Sequence, residues 1–178
     1  AAGTLARLGV GADDSARFHL RAGVEVRATG NLTVRDDWAL NAARPGSDAG
    51  FLTLRAAGDL RVNGSISDGF TAATATTGTG AAVPLNDNAR SWSYRLTAGA
   101  DLSSAGSLST LGVDKLSSAG DLSIAAGKLV RTGAGSIEVA AGRDLLFGSG
   151  TTAVAPGEIY VAGRKVANQA SVLSTLFG

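Results

Sequence analysis

The sequence predicts an all-β solenoid, a parallel β-helix with coils of about 21 residues and three short strands per coil, and three observations predict it. Ala-Gly recurs with its glycine at 99, 120, 142 and 163, in steps of 21, 22 and 21 residues, and a second pair, Gly106 and Gly127, repeats the step half out of phase. Short apolar alternations follow these dipeptides, as in Leu122-Ser-Ile124, Ile137-Glu-Val139 and Ile159-Tyr-Val161. The composition suits a narrow bore with tight corners: 25 glycines, 5% aromatic and 17% charged residues, the last below the roughly 25% of ordinary domains. With 44% apolar residues the chain is no disordered Gly-rich linker.

Taken in order, Val24-Glu-Val26 and Leu32-Thr-Val34 flank Gly30, and each places its two apolar residues on one face because strand side chains alternate. Asp36 to Gly50 breaks the rhythm with a polar, Pro-containing middle. Leu52-Thr-Leu54 and Ala57-Gly-Asp-Leu60-Arg-Val62 resume it, and Asn63-Gly64 turns into Ile66. Asp68 to Arg90 breaks it again with the Thr/Ala/Gly-rich run Thr71 to Gly80. Neither break has helical periodicity or a capped helix start, so both are predicted to be insertions at corners. From about 96 to 166 the glycines 99, 106, 112, 120, 127, 135 and 142 mark a corner every seven or eight residues. Here Leu122, Ile124, Ile137, Val139, Ile159 and Val161 are expected inside, and Ser123, Glu138 and Tyr160 outside. Residues 1–178 thus read as one β-helix segment with insertions at about 36–50 and 68–90. Without them, about six or seven coils remain, about 30 Å of shaft at ~4.8 Å per coil.

Two other all-β folds fit less well. Asn63-Gly64 between alternating runs is a hairpin signal, but a hairpin protein has no reason to repeat in triplets. A membrane barrel needs strands of ~10 residues and aromatic girdles, whereas these pieces are short and aromatics scarce.

A net charge of +1 with no basic run gives no reason to expect nucleic acid or an anionic membrane as partner, and no apolar stretch approaches the ~20 residues of a spanning helix. The absence of Cys excludes disulfides and thiol chemistry. Ala1 to Val10 carries no signal-peptide pattern, and the end at Leu176-Phe177-Gly178 has no polar cap, so the chain reads as part of something longer.

Several phrases resemble the shaft of filamentous-haemagglutinin-type exoproteins. They are Phe18-His-Leu-Arg-Ala-Gly-Val-Glu-Val26, Gly30-Asn-Leu-Thr-Val34, Asp37-Trp38, Leu52-Thr-Leu-Arg-Ala-Ala-Gly-Asp-Leu60, Asn63-Gly-Ser-Ile-Ser-Asp-Gly-Phe70, Ser91-Trp-Ser-Tyr-Arg-Leu96 and Leu129-Val-Arg-Thr-Gly133. The resemblance implies a right-handed parallel β-helix, export to the surface of a Gram-negative bacterium through a two-partner outer-membrane transporter, and an adhesive or toxin-presenting role. Nothing in the chain matches that family's secretion domain or a C-terminal toxin, so it resembles interior shaft, with neighbouring coils of a longer exoprotein as its immediate partners.

The candidate chemistry is sparse. Asp59, Asp101, Asp121 and Asp144 each precede a Leu in a corner phrase. In-register coils would align some of them for Ca²⁺, yet the Gly-Gly-x-Gly-x-Asp pattern is missing, and they are expected to be turn residues bonding their own backbone, with no metal and no cofactor. Arg35, Asp36 and Asp37 cluster at the root of the first insertion, but acid/base work on a sugar needs groups converging from neighbouring coils. His19 is the only histidine, so no triad or His-rich zinc site can form. Trp92, Tyr94 and Leu96 share a face, either filling the bore or offering a sugar-stacking surface. Asn31-Leu-Thr33 and Asn63-Gly-Ser65 match glycosylation acceptors, a short and frequent pattern. The candidate ligand surface is Trp92, Tyr94, Asp36, Asp37 and Trp38, facing a host or bacterial surface glycan or receptor. The expected function is a non-enzymatic shaft segment of a secreted adhesin. A toxin-delivery stalk and a β-helix polysaccharide lyase or hydrolase are the alternatives.

Overall fold

The computed structural model describes residue 7 and residues 21–42, 49–70, 90–116 and 118–163, so His19 and the run Thr71–Gly80 lie outside the described residues. Among them, twelve strands form four coils. The first coil holds β1 (Gly23–Ala28), β2 (Leu32–Val34) and β3 (Trp38–Ala39), and the second β4 (Phe51–Ala56), β5 (Leu60–Val62) and β6 (Ile66–Ser67). The third holds β7 (Ser93–Ala98), β8 (Leu122–Ile124) and β9 (Leu129–Thr132), and the fourth β10 (Ile137–Ala141), β11 (Leu145–Phe147) and β12 (Glu158–Val161). Corresponding strands pair in parallel to give three four-stranded sheets, β1-β4-β7-β10, β2-β5-β8-β11 and β3-β6-β9-β12. The protein is a parallel β-helix with three strands per coil.

The register stacks like on like. Leu32, Leu60, Leu122 and Leu145 form one inward column, and Val34, Val62, Ile124 and Phe147 the next. Val26, Leu54, Leu96 and Val139 form a third, and Ala28, Ala56, Ala98 and Ala141 a fourth at the strand ends, where the chain turns. Within the middle coils Leu54, Leu60, Ile66, Leu96, Leu122 and Ile124 have no exposed surface. Each such side chain contributes about 1.5–3 kcal/mol of transfer free energy. The expected alternation therefore holds at Leu122 and Ile124, while Ile137, Val139 and Ile159 are half-buried against the same core. Val161 differs: it stacks on the buried Thr132 but is 46% exposed, because no described strand lies beyond β12. Leu145 and Phe147 are open for the same reason.

The coil count departs from the sequence reading. Among the described residues there are four coils, against six or seven expected for the whole chain, and they span about 14 Å at the ~4.8 Å strand spacing. The stretch that repeats most regularly contains a third insertion: after β7 the chain leaves at Gly99 and re-enters at Gly120, ahead of β8. Gly99 (φ +62°) and Gly120 (φ +113°) come back to the same corner, and Gly142 of the next coil joins them. A Cβ on Gly99 would lie 3.2 Å from Gly142 Cα, 3.3 Å from Gly120 Cα and 2.9 Å from Leu116 Cδ2, so three chain passages and one leucine share space that only glycine leaves free. The first 21-residue step is thus a loop returning to its origin.

The other corners also shift. Asp36 and Asp37 form the turn between β2 and β3, so the first excursion begins after Ala39 with the 3-10 turn Leu40–Ala42. Asn63-Gly64 makes a corner between β5 and β6, not a hairpin. There the Asn63 and Gly64 amides both donate to Val34 O of the previous coil, at 2.9 Å.

Candidate functional site

At the corner leading into the β2–β5–β8–β11 sheet, one polar residue per coil precedes the leucine column: Asn31, Asp59, Asp121 and Asp144. Asn31 Oδ1 accepts from the Asp59 backbone N–H at 2.8 Å. Asp59 Oδ1 accepts from Gly120 N (2.8 Å) and Asp121 N (3.1 Å), and Asp121 Oδ1 accepts from Asp144 N at 3.2 Å. Each side chain therefore caps the same backbone position one coil further on. Three of the four aspartates singled out in the sequence do align, and two of them, Asp59 and Asp121, bond the next coil's backbone instead of their own, while Asp144 stands in the last described coil. Asp101, the fourth, lies in the third insertion and accepts from its neighbour Ser103 through both N (3.0 Å) and Oγ (2.6 Å). Asn31, which the sequence reading weighed only as a glycosylation acceptor, is the first rung.

The next corner works alike. Asp37 Oδ1 accepts from Ser65 N at 2.7 Å, and Ser65 Oγ accepts from Leu129 N at 3.2 Å. At the entry to the first sheet, Ser93 Oγ accepts from Ser136 N at 3.2 Å. The electrostatics follow. The Ser65 N–H holds the Asp37 carboxyl below the usual carboxylate range, and Lys128 Nζ at 3.1 Å adds to this against the opposing effect of burial. For Asp59 burial is the largest single influence and raises the value. The Gly120 and Asp121 N–H donors, with Arg61 and Arg143, outweigh it and leave the carboxyl below its ordinary value.

The residues expected to form a ligand surface are dispersed. Trp92 is 3% exposed and Tyr94 fully buried, so neither ring can stack on a sugar; they fill the bore. The indole packs on Gly50, where a Cβ would fall 2.7 Å from a ring carbon, and Tyr94 stacks between Leu52 and Ile137. Trp38 pairs with Ile66 and packs against the core from the first coil. Asp37 is engaged as described, and Asp36 is exposed, its backbone lying so close to Gly64 that a Cβ there would sit 2.1 Å from Asp36 O. At the Asp37 position the next two coils carry Ser65 and Leu129 and the fourth carries Glu158, three coil spacings away, so among the described residues no second carboxylate lies beside Asp37 in this column. Among the described residues no three His, Cys, Asp or Glu side chains group as metal ligands.

Two buried arginines lie on the outer faces of the sheets. Arg55 is covered by the third insertion, whose Asp101 and Ser104 carbonyls accept from Nη2 at 2.6 and 3.1 Å, with Glu25 3.4 Å from Nη1. Arg131 donates to Ser67 Oγ (2.8 Å) and to the Tyr160 hydroxyl (3.0 Å), and its guanidinium lies 4.3 Å from the Phe70 ring centre. Sequence reasoning missed both because their covers arrive from distant parts of the chain. It also missed a polar cavity beside Phe51, lined by Arg21, Arg90, Ser91, Ser93, Ala134 and Gly135, residues drawn from the entries to the first, third and fourth coils. Comparison with protein-family models, curated proteins and solved structures finds no match to this chain.

Proposed function

We propose that this chain is a structural shaft segment of a large secreted bacterial surface adhesin, exported through an outer-membrane transporter of the two-partner type and holding loops or a distal tip away from the cell. The phrases resembling filamentous-haemagglutinin-type shafts motivate the reading, and the stacked coils suit it mechanically. The observation that carries it is the corner ladder. The polar groups that would serve as acids, bases or metal ligands at the corners, Asp37, Asp59 and Asp121, are instead bonded to backbone N–H groups of the next coil. Side chains so engaged hold register along an axis and do not converge on a substrate.

The test uses the purified 178-residue chain. Coated on beads, it should attach to cells bearing surface glycans, and it should not depolymerise acidic or neutral polysaccharides with or without Ca²⁺. Ca²⁺-dependent cleavage abolished by Asp36→Ala or Asp37→Ala would replace the shaft by a β-helix polysaccharide lyase or hydrolase.

A further inference from the structure

The cavity beside Phe51, about 280 Å³, is at the small end of ligand pockets and has the size for one sugar ring. Among the described residues its walls hold two guanidinium groups and two serines, and no carboxylate. Arg21 is fixed in place: Nε donates to Ala49 O at 2.8 Å, Nη2 donates to Ser91 O at 3.2 Å, and the guanidinium lies 4.5 Å from the Phe51 ring centre. Those bonds use two of its five N–H donors, and no acceptor among the described residues meets Nη1. Nη1 therefore keeps both of its hydrogens and Nη2 keeps one, enough for a two-point contact with carboxylate oxygens.

A second cation on the same ring makes the contrast. Arg95 lies 5.3 Å from the Phe51 centre, and its Nε is bonded to Glu138 at 2.9 Å. Arg95 carries its counter-charge, and Arg21 beside the cavity has none among the described residues. Ser93 Oγ accepts from Ser136 N, so its hydroxyl hydrogen is still available to donate. The wall at Gly135 is bare backbone by necessity, since a Cβ there would come within 2.0 Å of Trp92 O.

We propose that this cavity binds the carboxylate of a hexuronate residue in an acidic polysaccharide, with Arg21 as the carboxylate fork and the serines and backbone serving the ring hydroxyls. The proposal rests on the adhesin reading and names the glycan chemistry that reading leaves open. Charge favours an anionic sugar over a neutral one, polar walls disfavour an apolar one, and the planar fork fits two carboxylate oxygens.

The 178-residue chain is titrated calorimetrically with trigalacturonate, its methyl ester and a sulfated galactose trisaccharide. The acid should bind at least about tenfold more tightly than the ester, as the loss of one charge-assisted contact predicts, and no more weakly than the sulfated sugar. Arg21→Gln should weaken it by at least about tenfold with an unchanged thermal midpoint. If that variant melts early, Arg21→Lys, which keeps the charge but not the fork, carries the test with the same expected direction. Equal binding of acid and ester, tighter binding of the sulfated sugar, or unchanged affinity in the folded arginine variants would overturn the proposal. Bead attachment to cells is measured on the same preparations. Attachment without galacturonate binding rejects the cavity alone, and galacturonate binding without attachment rejects the adhesin reading alone.

Discussion

Ala57-Gly-Asp-Leu60 and Ala98-Gly-Ala-Asp-Leu102 are near-copies at the same corner of successive coils, yet the first runs straight into β5 and the second leaves the helix for some twenty residues. The chain resumes only at Ala119-Gly-Asp-Leu122, the start of β8. What separates them lies two residues past the leucine. The inward position there is Val34, Val62, Ile124 and Phe147 in the four coils, whereas a strand beginning at Leu102 would place Ser104 in the bore. A hydroxyl buried without a partner costs about 1–3 kcal/mol, and the lost isoleucine forfeits a similar amount, so the later copy wins. The corner phrase marks where a coil can turn, and the bore decides which copy is used.

The largest effect should come from putting a charge into the winning copy. Ile124→Asp places an unpaired carboxylate among apolar side chains with no exposed surface and should cost more than about 4 kcal/mol, abolishing cooperative unfolding. Leu102→Asp, in the partly exposed insertion, should cost less than about 1 kcal/mol by urea denaturation. Similar losses from both would mean that the two copies are interchangeable.

Deleting Asp101–Gly120 joins Ala100 to Asp121 and restores the spacing seen between Ala56 and Leu60. The shortened chain should fold, with a stability loss of about 1–3 kcal/mol because Arg55 loses its Asp101 and Ser104 acceptors. Adding Arg55→Met should recover much of it, since the buried cation then no longer needs them. A deletion variant without a cooperative transition would show that the insertion is integral to the coil.

Asp59→Ala should cost about 1–2 kcal/mol by leaving two backbone donors uncapped, and Asp59→Asn much less because Asn31 already fills the same role. Asp101→Ala, which loses only bonds within its own loop, should stay within about 0.5 kcal/mol. The smallest effect is the pH dependence. The Asp37 and Asp59 carboxyls are depressed in the folded state, so their contribution is complete above the unfolded value of about 3.9 and is lost as pH falls through the lower folded values. Melts below pH 4 should steepen this loss in the wild type and flatten it in Asp59→Asn.

The bore was legible in the sequence because period-two alternation needs only local residues, and Leu122, Ile124, Leu60 and Val62 point as the alternation says. The third insertion was not, since a loop that returns to its own corner imitates a coil in length and in glycine. The ladder was half legible: Asp-before-Leu marks the rungs, but their acceptor role is set by a neighbour 23 to 62 residues away. Trp92 and Tyr94 were read to share a face, and only the stack above and below them settles that the face is inward. Arg21 and Ser93 meet at a cavity whose walls come from separate coils, which no single stretch encodes.

Amide hydrogen exchange in the wild type and in Asp59→Ala, resolved residue by residue, tests most directly whether side chains of one coil hold the backbone of the next. Asp121 N–H should exchange at least about tenfold faster in the variant, while Asp144 N–H, whose acceptor is Asp121, and Asp101 N–H, which bonds Ser109 O, should keep their wild-type rates. An unchanged Asp121 rate, or a uniform acceleration across all three, would contradict a rung-by-rung ladder.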